Sequence, residues 1–291
     1  QMEKSKSGLI EKLLLDLLNG NIVNNLEAQL DFLGIKALNN QGFQVAVMEI
    51  SNNQLQEMTV EEKNLLNIQF FQQIKQLFAG IGYQNYLINH HHNQVVLIVI
   101  RPDQELLKCL EEVLTQVRLT LKLTVACGVG HQYFELTDLA IAYREAGSAL
   151  QYRYFYGQNQ VFLFNELNPD VQSYRKIINS LQRYSILDNL KIGADAAVTA
   201  ELEKFINEMR QVKLNQELSA LVASNLILSV FTTINKLGYN VYEMQGDNDE
   251  TLVKLNRVES LEELEELLIS FFNQINRQLR QKTIPVNYQL V

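Results

Sequence analysis

Strand signals and helix signals are segregated along this chain. Short β-rich runs occur only between residues 43 and 164, and after Asn168-Pro169 every apolar stripe has helical spacing. That segregation constrains the fold more than any other feature. It predicts an α+β chain, a sheet domain followed by an all-α region.

The first part opens with helices. Leu9, Leu13, Leu14, Leu17 and Leu18 form one stripe that Asn19-Gly20 ends, and a short helix over 25–33 stops at Gly34. Phe43, Val45, Val47 and Ile50 then lie in a strand-like run. Thr59 with Glu62 is a capping box, opening a helix that runs to about Phe78. Runs 83–89 and 94–100 read as strands, joined by a link over 90–93 short enough for a hairpin. Leu106, Leu110, Val113, Leu114, Val117 and Leu121 share one helix face. A strand over 123–129 stops at Gly130, a helix carries Leu139, Tyr143, Ala146 and Leu150, and a last strand covers 161–164.

Strand-helix-strand-strand-helix-strand is the ferredoxin-like order, expected to pack its flanking helices on one face of the sheet. The predicted division is a helical lead-in over 1–40, the sheet domain over 41–167 and a helical connector or dimerisation region over 168–291. In the last region, helices are predicted over 171–190, 194–209, 216–237 and 261–279, the last with Ser260 and Glu263 as a capping box. Leu261, Leu264, Leu268, Phe271 and Ile275 alternate at three-four spacing. That stripe is either the seam of the chain's own bundle or a contact in a homodimer.

Composition narrows the partners. With 47% hydrophobic and 20% charged residues in 291, the chain can bury a sizeable core. The net charge is −8, with 12 Lys and Arg against 17 Asp and Glu up to residue 167 and 13 against 16 after it. Duplex phosphates call for a basic face, so DNA binding by this stretch itself is not expected. Cys109 and Cys127 each sit in an apolar run and are expected to be buried free thiols in a reducing cytosol. Uninterrupted apolar runs such as 95–100 fall far short of the ~20 residues of a membrane span. A cytoplasmic location without membrane contact is the expectation.

Several motifs invite chemistry and lose it on inspection. His90-His91-His92 offers imidazoles, but adjacent strand residues point to opposite faces, and no cysteine or carboxylate stands at ligand spacing. A solvated hairpin tip is predicted, with a metal-binding or pH-sensing role as the alternative. Gly128-Val129-Gly130 has neither a third glycine nor a following helix start, so it reads as a strand exit. Asp247-Asn248-Asp249-Glu250 lacks the ordered spacing of a calcium loop and reads as a solvated loop. Tyr143, Tyr152, Tyr154, Phe155 and Tyr156 read as core aromatics, with a ligand pocket between the sheet domain and the helices as the alternative. No Ser-His-Asp, Cys-His or paired-carboxylate arrangement can be argued from spacing.

The order of elements over 43–164 resembles the GGDEF domain of diguanylate cyclases. More closely, Val125-Ala126-Cys127-Gly128-Val129-Gly130, Leu136 to Leu139, Ala142-Tyr143-Arg144-Glu145-Ala146 and Ala149-Leu150-Gln151-Tyr152-Arg153 resemble the degenerate GGDEF-like segment of AraC-type transcription regulators of the YesN response-regulator kind and of their membrane-bound sensor relatives. Glu11 to Gly20 is similar to the helix before that segment, and Tyr184 to Leu190 with Leu261 to Phe271 to the connector after it. The resemblance implies a regulatory chain that reaches DNA only through a downstream helix-turn-helix domain.

It also implies lost catalysis. The signature hairpin of active cyclases is Gly-Gly-Asp/Glu-Glu-Phe; here it is His91, His92, Asn93 and Gln94, without glycines or carboxylates. Where active members offer two acidic residues on the first strand, this chain has Glu49 and Ser51. No catalytic residue, cofactor or metal is therefore expected, and the alternative role is a sensor for a small molecule, a nucleotide or a sugar.

Overall fold

The computed structural model describes residues 2–35, 41–91, 93–164, 177, 185–239, 249–255 and 257–283. The chain divides into two compact units, residues 1–166 and 167–291.

The first unit runs α1 (Met2–Leu18), α2 (Leu26–Leu33), β1 (Phe43–Ile50), α3 (Asn52–Leu55), α4 (Val60–Ala79), β2 (Asn85–His90), β3 (Gln94–Ile100), α5 (Leu106–Leu121), β4 (Val125–Tyr133), α6 (Leu139–Leu150), α7 (Arg153–Tyr156) and β5 (Val161–Leu163). The sheet order is β2-β3-β1-β4-β5. β1 pairs antiparallel with β3 and β4, β2 antiparallel with β3, and β4 parallel with β5. This is the mixed α+β sheet that the order of signals predicts.

Helices cover both faces, which corrects the one-face expectation. α1, α2 and α6 pack on the face that carries Val45, Val47, Val96 and Ile98. α4 and α5 pack on the face that carries Ala46, Met48, Ile50, Val95, Leu97 and Val99. The cause lies in the central strands. β3 is apolar at every position from Val95 to Ile100, and a strand without polar alternates must be buried on both sides. The lead-in helices thus supply core to the sheet unit: Leu13, Leu14, Leu17, Leu18, Leu30 and Leu33 are all buried there.

Local signals set the helix starts. Thr59 Oγ1 accepts from the Glu62 amide at 3.3 Å, and Glu62 accepts from the Thr59 amide at 2.8 Å, so the expected capping box opens α4. β4 departs from expectation by continuing through Gly130 to Tyr133. Its glycines serve close packing instead. A Cβ on Gly128 would stand 2.1 Å from the Ala146 carbonyl oxygen, and one on Gly130 would stand 2.5 Å from that of Ala142. α6 lies on β4 at a separation that only glycine permits.

The second unit contains α8 (Ile186–Lys191), α9 (Asp195–Val212), α10 (Gln216–Lys236), α11 (Asp249–Leu255) and α12 (Leu261–Thr283). α12 packs against α9, α10 and α11. Asn215 caps α10 by accepting from the Leu218 amide at 2.9 Å. Ser260 accepts from the Glu263 amide at 3.1 Å, and Glu263 accepts from the amide of Glu259 at 2.7 Å. Asp249 and Glu250, expected in a loop, open α11. Of the helix expected over 171–190, Ile186–Lys191 is seen, and Tyr184 lies outside the described residues, as do Asp247 and Asn248. α10 is long and apolar enough to cross a membrane by length and composition, with mean hydropathy 1.6 over its most apolar window. Scanning for unbroken apolar runs misses it because Ser, Thr and Asn interrupt the pattern.

Candidate functional site

Three neighbouring strands bring polar residues to one end of the sheet. Glu49 on β1 pairs in register with Gln94 on β3, and Gln94 pairs with His90 on β2. The three form a row across the sheet. α6 and α7 close over it. Tyr143 on α6 places its hydroxyl 3.2 Å from His90 Nδ1 and 3.4 Å from Gln94 Oε1. Arg153 on α7 sets Nη2 at 2.6 Å from Glu49 Oε1, and the Gln94 amide donates to Glu49 Oε2. Both oxygens of the only carboxylate in the row are thus occupied by donors from the chain itself.

Burial makes this network consequential. Glu49 is 7% exposed and His90 8%. Burial, and after it the neighbouring His91, hold the His90 imidazole below its usual range. Burial and then the Glu49 charge push the Tyr143 phenol upward. Both shifts favour neutral partners around a single buried ion pair. Arg153 Nη1 is buried without a hydrogen-bond partner among the described residues.

The hairpin tip is pinned by carboxamides. His91 adopts φ 57°, a left-handed conformation that His tolerates better than most residues. Asn67 on α4 donates to the His91 carbonyl at 3.0 Å. Asn93 donates to the Ile50 carbonyl at 3.3 Å and to Asn52 Oδ1 at 3.1 Å. The left-handed turn brings the His90 and His91 rings edge to face at 4.0 Å, so strict strand alternation does not extend into the tip. His92 lies outside the described residues. Of the signature positions, Gln94 is part of the closed row, and His91 and Asn93 hold the turn. Beside the tip is a groove of about 440 Å³ lined by Asn52, Leu55, Gln56, Val60, Lys63, Asn64 and Asn93.

A second polar knot sits on α6. Glu145 accepts from the Tyr133 hydroxyl at 2.7 Å and from the His131 amide at 2.9 Å, with His131 Nδ1 at 3.2 Å. Burial works against the Glu145 charge, but those bonds outweigh it and hold its carboxyl below the usual range. Tyr133 is pushed up to about 12 by burial and by Glu145. No group of three or more His, Cys, Asp or Glu that could hold a metal occurs among the described residues.

Other expectations resolve differently. Cys127 is buried, and burial pushes its thiol upward; Cys109 is only half-buried. Leu261, Leu264, Leu268, Phe271 and Ile275 are all buried, and their helix α12 packs against α9, α10 and α11, so the stripe serves as a seam of the chain's own bundle. Its three-four spacing gives a helix face its burial but does not name the element that covers it. Sequence reasoning missed the role of Arg153. The available signal was a lone cation within the aromatic run 152–156.

Residues 20–152 match the family model of the GGDEF-like domain, and the chain carries such a domain. No curated protein matches the chain. Among solved structures, the chain is similar to the active GGEEF domain of a diguanylate cyclase from Vibrio cholerae, at 15% identity and TM-score 0.35, over 53% of this chain and 96% of that one.

Proposed function

We propose that the GGDEF-like domain of this chain is not a cyclase but the regulatory part of a bacterial AraC-type transcription regulator of the YesN kind, with the helical unit as connector. One observation carries the non-catalytic half. Glu49, the one carboxylate at a position where the resemblance implies a pair, already holds the Arg153 guanidinium and the Gln94 amide. A divalent cation needs free carboxylate oxygens, and phosphoryl transfer needs that cation against a triphosphate. Admitting one here means expelling a buried guanidinium. The hairpin in turn has lost the glycines that let a backbone approach phosphates.

Incubation of the chain with GTP and Mg²⁺, followed by chromatography, tests this half. No cyclic dinucleotide is expected, and product above a no-protein control overturns the reading. The regulator half rests on the sequence resemblance and on acidic charge in both halves, which sends DNA contact to a downstream helix-turn-helix domain outside this chain. The reading frame after residue 291 tests it: paired helix-turn-helix units are expected, and an unrelated domain overturns the AraC assignment. A cytoplasmic location belongs to the same proposal.

A second reading is favoured by the groove beside the hairpin tip. Three asparagines, a glutamine and one lysine line it together with the apolar Leu55 and Val60. Such a lining suits an uncharged, hydroxyl-rich or base-like ligand, a sugar or a nucleoside. Thermal-shift titration against sugars and guanine nucleotides decides it, because a ligand of the native state raises the midpoint with dose. A flat response across both classes removes this reading.

A further inference from the structure

α10 carries no charged residue between Glu217 and Lys236, in a chain that is 20% charged. One face is buried: Val222, Ala223, Leu226, Ile227, Val230 and Ile234. The opposite face is open. Leu221 is 48% and Leu228 53% exposed, seven residues apart and so on one line along the helix.

The hydroxyls around these leucines have their single donors engaged, and Asn225 uses one of its two N–H groups. Ser224, Asn225, Ser229 and Thr232 each donate to the carbonyl four residues back, at 2.9, 2.9, 2.8 and 2.9 Å. Covering this face strips little water from unsatisfied donors, which is the usual cost of burying polar groups. A shallow groove of about 420 Å³ runs beside Leu221, between Ala220, Ser224 and Leu255.

We infer that this face seats α10 of a second copy, antiparallel, about a two-fold axis between Leu226 and Ile227. That register sets Glu217 opposite Lys236 of the second copy at both ends, Leu221 opposite Thr232 and Asn225 opposite Leu228. A parallel pair would put like charges together at each end and would align the helix dipoles. The single acidic and single basic end of an otherwise uncharged face therefore choose both the occupant and its direction. One helix face is smaller than a standard interface of about 800 Å² per partner, so the pair is reversible and concentration-dependent. The inference does not depend on the regulatory reading.

Sedimentation of the full chain over a range from about 5 to 500 μM tests it. The mass is expected to rise from 33.5 kDa toward twice that value. Leu228→Glu and Leu221→Glu place a charge at half-exposed positions that the fold does not bury, so circular dichroism should be unchanged while association weakens by tenfold or more. E217K alone and K236E alone should each weaken it several-fold, and the double swap should restore it. A chain that stays at 33.5 kDa throughout overturns the inference. So does association indifferent to Leu228→Glu, or a double swap as weak as the single changes. Binding to neutral lipid vesicles in place of self-association assigns the face to a membrane and equally overturns it.

Discussion

Arg153→Met removes the cation from a carboxylate with little water to fall back on. The two side chains are 13% and 9% exposed and meet at 2.6 Å. At an effective dielectric of about 20, their gross attraction is about 6 kcal/mol. Desolvation takes back several kcal/mol, leaving a coupling of roughly 2–3 kcal/mol. Deleting one partner costs more than that, about 3–5 kcal/mol in general, because the survivor stays buried with its charge. Gln94 still donates to Glu49, so Arg153→Met belongs at the lower end, about 3 kcal/mol. The double variant Glu49→Gln/Arg153→Met removes both charges and should recover about 2 kcal/mol of the loss.

Guanidinium unfolding of the full chain, followed by circular dichroism, measures these differences. Because two units need not unfold together, hydrogen exchange at β1, β3 and α6 amides assigns the loss to the sheet unit. A loss of about 3 kcal/mol corresponds to a fall of roughly 6–12 °C in Tm for a unit of this size. The reasoning is refuted if Arg153→Met stays within about 1 kcal/mol of the parent, or if the double variant is no more stable than the single one.

Gly128→Ala drives a methyl to 2.1 Å from the Ala146 carbonyl oxygen, so α6 must lift off β4 at a cost of about 3 kcal/mol or more; a cost under about 1 kcal/mol in the same unfolding assay would show that the contact is not tight. His90 has its folded-state pKa depressed by burial, so below about 6.5 the unfolded chain binds a proton that the folded chain resists. Its contribution is complete above that pH and is lost as pH falls through the folded value. His90→Asn should flatten this limb between urea midpoints at pH 7.5 and 5.5, and an undiminished slope would place its origin elsewhere.

What the sequence made legible was local. The stripe Leu106, Leu110, Val113, Leu114 and Val117 is α5, and the Thr59–Glu62 box is its neighbour's start, because periodicity and capping act within a few residues. The unbroken apolar run of β3 carries the signal for helices on both faces, while the ferredoxin-like order of elements points to one. In the sequence Gly130 reads as a breaker, because a glycine's local effect is visible there and its contact with Ala142 on α6 is not. The site divides in the same way. The loss of glycines and carboxylates at 91–94 is a matter of composition. The meeting of Glu49 with Arg153 joins β1 to α7 across most of the domain, and no period links them.

The packing of α6 on its sheet face and the closing of the polar row are the same structural event. Gly128 and Gly130 let α6 settle on β4, and that approach carries Tyr143 over His90 and Gln94. α7 follows α6 directly and delivers Arg153 to Glu49. Freeing the Glu49 carboxylate therefore takes more than breaking one ion pair. It requires moving α7 against a helix whose alanines Ala142, Ala146 and Ala149 are fully buried. A change that lifts α6 should loosen the Glu49–Arg153 pair as well, so Gly128→Ala and Arg153→Met should destabilise less together than their separate losses add up to. Sites that share no partner would add, and additivity here would mean that the row is held by α7 alone.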